Sequence, residues 1–234
     1  MSRLMSFKSA LSVIGVPAAQ MSAVVLVLTG LAGCMSTPRD VLIEPPKELT
    51  RALAADSILQ IRIPPGQATI QGVGGDQLRV RLELRCHSAT GRCAKNAAKA
   101  AIVTETTEEE VIVQLEPRGT WAYRNTDVRM DVQVPKTRHV RVTMGAGELK
   151  ITDVAGCVYV DMGAGDIELT APLADVHRVE LDANVGDASL RLPEYAIEGP
   201  RSLLVGAHLE WHDGTGLCDL EIRLQAGDID VRLH

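Results

Sequence analysis

Between Val140 and Thr170 the chain carries one cassette twice in tandem, VRVTMGAGELKIT and, after a short turn, VYVDMGAGDIELT. Each copy is an alternating apolar and polar run, a Gly-Ala-Gly corner and a second alternating run. Alternation marks a strand with one buried face. Glycine at the corner opens backbone angles that a Cβ would forbid. Anchored on Gly147 and Gly165, further copies fall at Gly186, Ala207 and Gly227, with successive corners 18, 21, 21 and 20 residues apart. Three, five and seven residues before the corners come Met144, Val142 and Val140; Met162, Val160 and Val158; Ala183, Leu181 and Val179; and Leu224, Ile222 and Leu220. The copy at Ala207 breaks this half, with Leu204 followed upstream by Ser202 and Pro200. Two and four residues after the corners come Leu149 and Ile151, Ile167 and Leu169, Ala188 and Leu190, Leu209 and Trp211, and Ile229 and Val231. An upstream unit around Gly66 fits the same template, with Leu59, Ile61 and Ile63 before it and Ala68 and Ile70 after. A fixed period near twenty predicts an all-β chain whose residues 138–234 stack as a β-solenoid of about five coils. The alternative is a β-sandwich with hairpins of similar length.

The remaining segments are arranged around that array. Residues 1–33 read as a cleaved signal peptide: Arg3 and Lys8 supply a positive start, AVVLVL an apolar middle, and Leu31-Ala32-Gly33, with its small residues Ala32 and Gly33, comes before Cys34. Leu31-Ala32-Gly33-Cys34 resembles the bacterial lipoprotein lipobox, and the resemblance implies acylation of Cys34 and cleavage before it. Several acyl chains give a stable anchor, because each buried CH₂ contributes ~0.8 kcal/mol. Met35, rather than an aspartate, follows the cysteine. By the same resemblance, the outer membrane is then favoured in a cell with two membranes.

Residues 34–56 read as a lipidated N-terminus and tether, with Pro38, Pro45 and Pro46 discouraging regular structure and Glu48–Ala55 forming a short helix. Residues 57–137 read as an antiparallel β section that feeds the coils and covers their first open edge. Within it Leu78, Val80, Leu82 and Leu84 alternate with charged residues, and the alanine-rich stretch Ala94–Ala101 suggests one or two helical turns. Removing residues 1–33 takes the formal charge from −6 to −8, which argues against a nucleic-acid partner and against adhesion to anionic lipid by charge.

The stretch MDVQVPKTRHVRVTMGAGELKITDVAGCVYVDMGAGDIEL resembles a bacterial envelope family labelled adhesin-like β-solenoid. The matching residues are Val134-Pro135, Gly145, Gly147, Gly163, Gly165-Asp166, Gly186-Asp187 and Gly227-Asp228. The resemblance spans roughly residues 57–234, more weakly in the first half. The family has no established activity, so the resemblance implies a structural or binding surface without catalysis, cofactor or metal.

Candidate sites are few. Cys86 and Cys93 flank a six-residue loop and are expected to form a disulfide, which the compartment outside the cytosol permits. Stacked in chain order, Cys157 and Cys218 stand three rungs apart, roughly 14 Å along the stack at ~4.8 Å per rung. A disulfide needs Cα atoms within about 7 Å. These two should then not pair unless the winding differs.

The residues after the corners, Glu148, Asp166, Asp187, His208 and Asp228, should form a surface ladder with His208 between Asp187 and Asp228. Such carboxylates either accept hydrogen bonds from turn amides or hold calcium. The tight calcium-binding repeat, however, is nine residues long with Gly-Gly-x-Gly-x-Asp. His208, Glu210 and His212 share one strand face, but the two histidines are ~13 Å apart and cannot share an ion. An enzyme is not expected: the chain has no Ser-His-Asp elbow, no phosphate loop before a helix and no HExxH. The rival is a polysaccharide-binding or polysaccharide-cleaving β-solenoid protein, with Trp121-Ala122-Tyr123 as its sugar-stacking residues. The expected partners are the membrane, through the lipid anchor, and an unidentified envelope protein or glycan.

Overall fold

A computed structural model describes residues 41–54, 57–86, 91–118, 123–202 and 206–234, all within one unit, Pro38–His234. The signal peptide, Cys34 and Trp121 lie outside the described residues. The described residues are overwhelmingly strand. In chain order these are β1 (Val41–Leu42), β2 (Lys47–Ala52), β3 (Ile58–Ile63), β4 (Gly66–Val73) and β5 (Gln77–Cys86). The helix α1 (Arg92–Lys99) follows, then β6 (Ala101–Thr106), β7 (Glu110–Glu116), β8 (Thr126–Pro135), β9 (Val140–Thr152) and β10 (Val158–Ala171). After a 3-10 turn at Leu173–Asp175 come β11 (Val176–Ala183), β12 (Ala188–Arg191), β13 (Ala196–Glu198) and β14 (Arg201–Ser202). The last three are β15 (Gly206–Trp211), β16 (Cys218–Ala226) and β17 (Ile229–Leu233).

The two cassettes pair in parallel and in register, Val140 against Val158, Gly147 against Gly165 and Thr152 against Thr170. On the far side of β9 the Gly66 unit pairs in the same way, β3 against its first arm and β4 against its second. Apart from Leu204, which lies outside the described residues, the inward positions named from the alternation are buried: Val142, Ile151, Val160, Leu181, Leu190, Ile222 and Val231 are all at 0 % exposure. Burying a side chain of this size contributes about 1.5–3 kcal/mol. Residues from both arms meet in one apolar cluster.

The rungs do not stack in chain order. The far side of β10 is occupied by β16 and β17, the last segment of the chain, in parallel register. β11 and β12 pair in parallel with β16 and β17 rather than with β10. The corner glycines therefore follow the spatial order 66, 147, 165, 227, 186. The Ala207 copy is not a parallel rung: β15 runs antiparallel to β11, with Leu181 against Leu209 and Val179 against Trp211. The local reason is visible upstream, where Pro200 and Ser202 interrupt the apolar alternation. A proline cannot donate to a ladder and favours a strand end. The reversed strands β13 and β15 then cover β12 and β11.

Residues 57–137 differ from the expected antiparallel section. β3 pairs in parallel with β7 and β4 with β8, so β7 and β8 make a further rung beyond the Gly66 unit. Antiparallel strands are added outside it: β6 on β7, β5 on β8, and β2 on β5. The section is mixed because β7 and β8, like the other rungs, bury an apolar row that a neighbouring rung must cover. The segment read as tether is shorter than expected. β1 and β2 belong to the sheet, and Glu48–Ala55 contains strand rather than helix, because β5 offers Lys47–Ala52 a complete ladder of partners. Pairing of this kind overrides a weak helical preference. The alanine-rich stretch does form a helix, packing Ala97 with Ala100, Leu82, Leu84, Tyr123 and Val128 in a second apolar cluster. Lys47 Nζ donates to the carbonyls of Ala97, Ala98 and Ala100, supplying a cation at the negative end of the helix.

Candidate functional site

The corner residues form a differently composed and differently ordered column than expected. Asp166 pairs with Glu148, while the register of Ile167 and Ala188 with Ile229 places Asp228 beside Asp166 and beside Asp187. The column is completed by Gln67, whose Nε2 donates to Glu148 Oε2 at 3.0 Å. Asp228 Oδ1 accepts the Asp187 backbone N–H at 3.0 Å, the turn-amide use of a corner carboxylate. One residue row further along, Lys150 bridges to Glu168 at 3.0 Å.

His208 is not in this column. Because β15 is antiparallel, His208 faces Asp182 of β11 and lies between neither Asp187 nor Asp228. On the same face Glu210 accepts two hydrogen bonds from Arg178, at 2.7 and 3.1 Å, and lies 3.8 Å from His212. The Arg178 hydrogen bond holds the Glu210 carboxyl below its usual range, and Glu210 in turn raises the guanidinium.

A second outward column crosses the first arms. Arg141 reaches Glu110 at 3.3 Å and stands 5.6 Å from the Tyr159 ring centre, with Arg223 5.8 Å from the same ring. Cation–ring contacts at this range are favourable. A third polar surface is a groove of about 370 Å³ bordered by Thr50, Thr69, Gln71, Arg79, Arg81 and Asp131.

Of the expected sugar-stacking residues, Trp121 and Ala122 lie outside the described residues. Tyr123 is buried at 5 % exposure in the cluster beneath α1, so its ring covers the sheet. Burial, assisted by Glu116, pushes its phenol up to about 12. A phenol that ionises later in the folded chain stabilises the fold fully below the unfolded value of about 10. That contribution disappears as pH rises towards about 12. The difference between alkaline absorbance titrations of the wild type and Tyr123→Phe should isolate a phenol with this delayed ionisation. The substitution should also reduce the loss of stability above pH ~10. A difference curve centred at the ordinary value would contradict this assignment.

The cysteines separate into two pairs. Cys86 and Cys93 are bonded, with Cα atoms 6.1 Å apart, which ties the end of β5 to the first turn of α1. Cys157 and Cys218 are free thiols. They are not three rungs apart: inserting β16 next to β10 puts them on neighbouring rungs, with Sγ atoms within 4.8 Å. His139 joins them, one ring nitrogen lying within the same distance of both sulfurs. Burial, then the hydrogen bond with Cys157, pushes the Cys218 thiol up to about 12. The partial signal for this group was in the repeat, since His139 and Cys157 hold the same position one residue before Val140 and Val158. Cys218 could not be added without knowing where β16 inserts.

No family model and no curated protein matches this chain. Among solved structures it is similar to a putative cell adhesion protein from Clostridium sporogenes, at 13% identity and a TM-score of 0.47, over 81% of this chain and 100% of that one. It is also similar to a putative lipid binding protein from Parabacteroides distasonis, at 8% identity and a TM-score of 0.23, over 81% of this chain and 96% of that one. A putative adhesin from Bacteroides fragilis matches at 8% identity and a TM-score of 0.20, over 82% of this chain and 99% of that one. Among the described residues no helix is long and apolar enough to cross a membrane. The chain is thus similar in part to proteins named for adhesion, and its described body is built from strands.

Proposed function

We propose that this protein is a lipid-anchored component of a bacterial envelope, held through Cys34, whose body winds as a β-solenoid and serves as a binding surface rather than a catalyst. The observation that carries the reading is the outward face of the parallel rungs. Polar side chains arrive there in columns at strand spacing, cross-linked as Glu110–Arg141–Tyr159 and Gln67–Glu148. Side chains already held by neighbours lose little freedom on binding, so such a face suits an extended polar partner, an envelope protein or a glycan. In a cell with two membranes the outer one is the expected site.

Two measurements test this. Metabolic labelling with a radioactive fatty acid should mark the wild type and not Cys34→Ala, which should also keep residues 1–33 and shift in membrane fractionation. Unchanged labelling and processing in that variant would remove the anchor. The mature protein, probed against envelope extracts, glycans and calcium, should retain an envelope protein or glycan, and Arg141→Glu should weaken the capture. Turnover of a polysaccharide would instead favour the cleaving alternative.

A further inference from the structure

The thiol–imidazole group at the start of the rungs has the composition of a metal site. His139 lies in the turn entering β9, Cys157 directly before β10, and Cys218 opens β16. One potential ligand atom from each lies within 4.8 Å of the other two. In a tetrahedral thiolate site, metal bonds of ~2.3 Å to sulfur and ~2.0 Å to nitrogen put ligand atoms about 3.5–4 Å apart. The remaining gap is roughly 1 Å. The Cys157 backbone N–H donates to His139 Nδ1 at 3.3 Å, which holds the imidazole against the cysteine of the next rung. Cys218 is 9 % exposed, whereas His139 is open to solvent, so the group has a buried base and an accessible mouth. That mouth opens on a groove lined by Ile58, Arg141, Tyr159, Asp219 and Glu221.

We propose that His139, Cys157 and Cys218 bind one thiophilic metal ion of the zinc(II) or copper(I) class. Two thiolates and an imidazole select such ions over calcium or magnesium, which prefer oxygen. Three protein ligands leave a fourth position facing the groove, for water or an incoming donor. This differs from the sequence expectation of no metal, because stacking in chain order separated the two cysteines. The ion would cross-link β9 and β10 to β16, the strand that stands out of chain order in the stack. Loading displaces the thiol protons, so affinity should increase with pH.

The test uses the full chain carrying Cys34→Ala, so that two free thiols remain, freshly reduced under conditions that leave the Cys86–Cys93 bridge intact. Cobalt(II) should produce near-ultraviolet thiolate-to-metal absorption, saturate at one ion per chain and be displaced by zinc(II). Copper(I), added as a separate arm with a chelating competitor, distinguishes the two ions. Cys157→Ser and Cys218→Ser should each abolish the absorption. His139→Ala changes an exposed side chain and should preserve the fold. It should weaken binding by at least the ten- to hundredfold that even an outer partner costs. Zinc at a hundredfold excess over Kd should raise the melting temperature by roughly 5–10 °C, and not in the Cys157→Ser chain. Absence of both cobalt(II) absorption and copper(I) binding in the reduced Cys34→Ala chain, or persistence of the absorption in both serine variants, would overturn the site. A stoichiometric Cys157–Cys218 bridge in protein isolated without reductant would also overturn it, since the pair would then be a cross-link.

Discussion

Leu181→Asp should unfold the protein or cost it at least ~4 kcal/mol, while Asp182→Ser, one residue along the same strand, should stay within about 0.5. Leu181 has 0 % exposure and lies between Ile222 on one neighbouring rung and Leu209 on the other. Removing a leucine from such a site costs about 2–5 kcal/mol through lost transfer energy and the cavity. A carboxylate placed there without a partner adds several more. Asp182 points outward between Arg223 and His208, where solvent screens the charges and a serine keeps the strand polar. With a total stability of about 5–15 kcal/mol for a domain, the first change removes much of it and the second almost none. Chemical denaturation of both variants measures the difference. Equal losses would show that the inward and outward faces of β11 are wrongly assigned.

The second large effect is expected at the corners. Gly165 has φ of +117°, and a Cβ there would collide with the carbonyl of Gly147 on the adjoining rung. The same relation links Gly227 to Gly165 and Gly147 to Gly66. Relief would require spreading rungs that the parallel hydrogen bonds hold ~4.8 Å apart. Gly165→Ala should therefore combine backbone strain of about 1–3 kcal/mol with broken pairing around the corner. Two other glycines separate these causes. Gly75 has φ of +101° with nothing within 4 Å, so its alanine variant should show only the strain, about 1–2 kcal/mol. Gly74 has neither constraint, and Gly74→Ala should lie within about 0.5 kcal/mol of wild type. Melting curves should rank the losses as Gly165 above Gly75 above Gly74. A Gly165 variant no worse than the Gly75 one would mean that the corners are not in close contact.

Side-chain direction was legible in the chain itself because a strand alternates with a period of two, whatever it pairs with. Val142, Leu181, Ile222 and Val231 could be placed inside from their spacing to a glycine, and all are buried. The corners at Gly147, Gly165, Gly186 and Gly227 were legible for a similarly local reason, since only glycine accepts the angle and the close carbonyl. Trp211 could be placed facing inward even though its strand runs opposite to the expected direction, because reversing a strand leaves its alternation unchanged.

Which strand lies beside which was decided by the tertiary structure alone. β16 carries the same inward pattern as β11, so either could follow β10 by pattern, and parallel ladders form between any two rungs of matching register. Only the folded arrangement, with β13 and β15 running back along β12 and β11, sends the final segment between β10 and β11. The reversal of β15 takes His208 out of the acid column, and the insertion of β16 beside β10 brings Cys218 to Cys157 and His139. The pattern along a strand is a one-dimensional property, set by each residue's own backbone. A site assembled across strands depends on their order, which identical patterns leave degenerate until the whole sheet closes its hydrogen bonds.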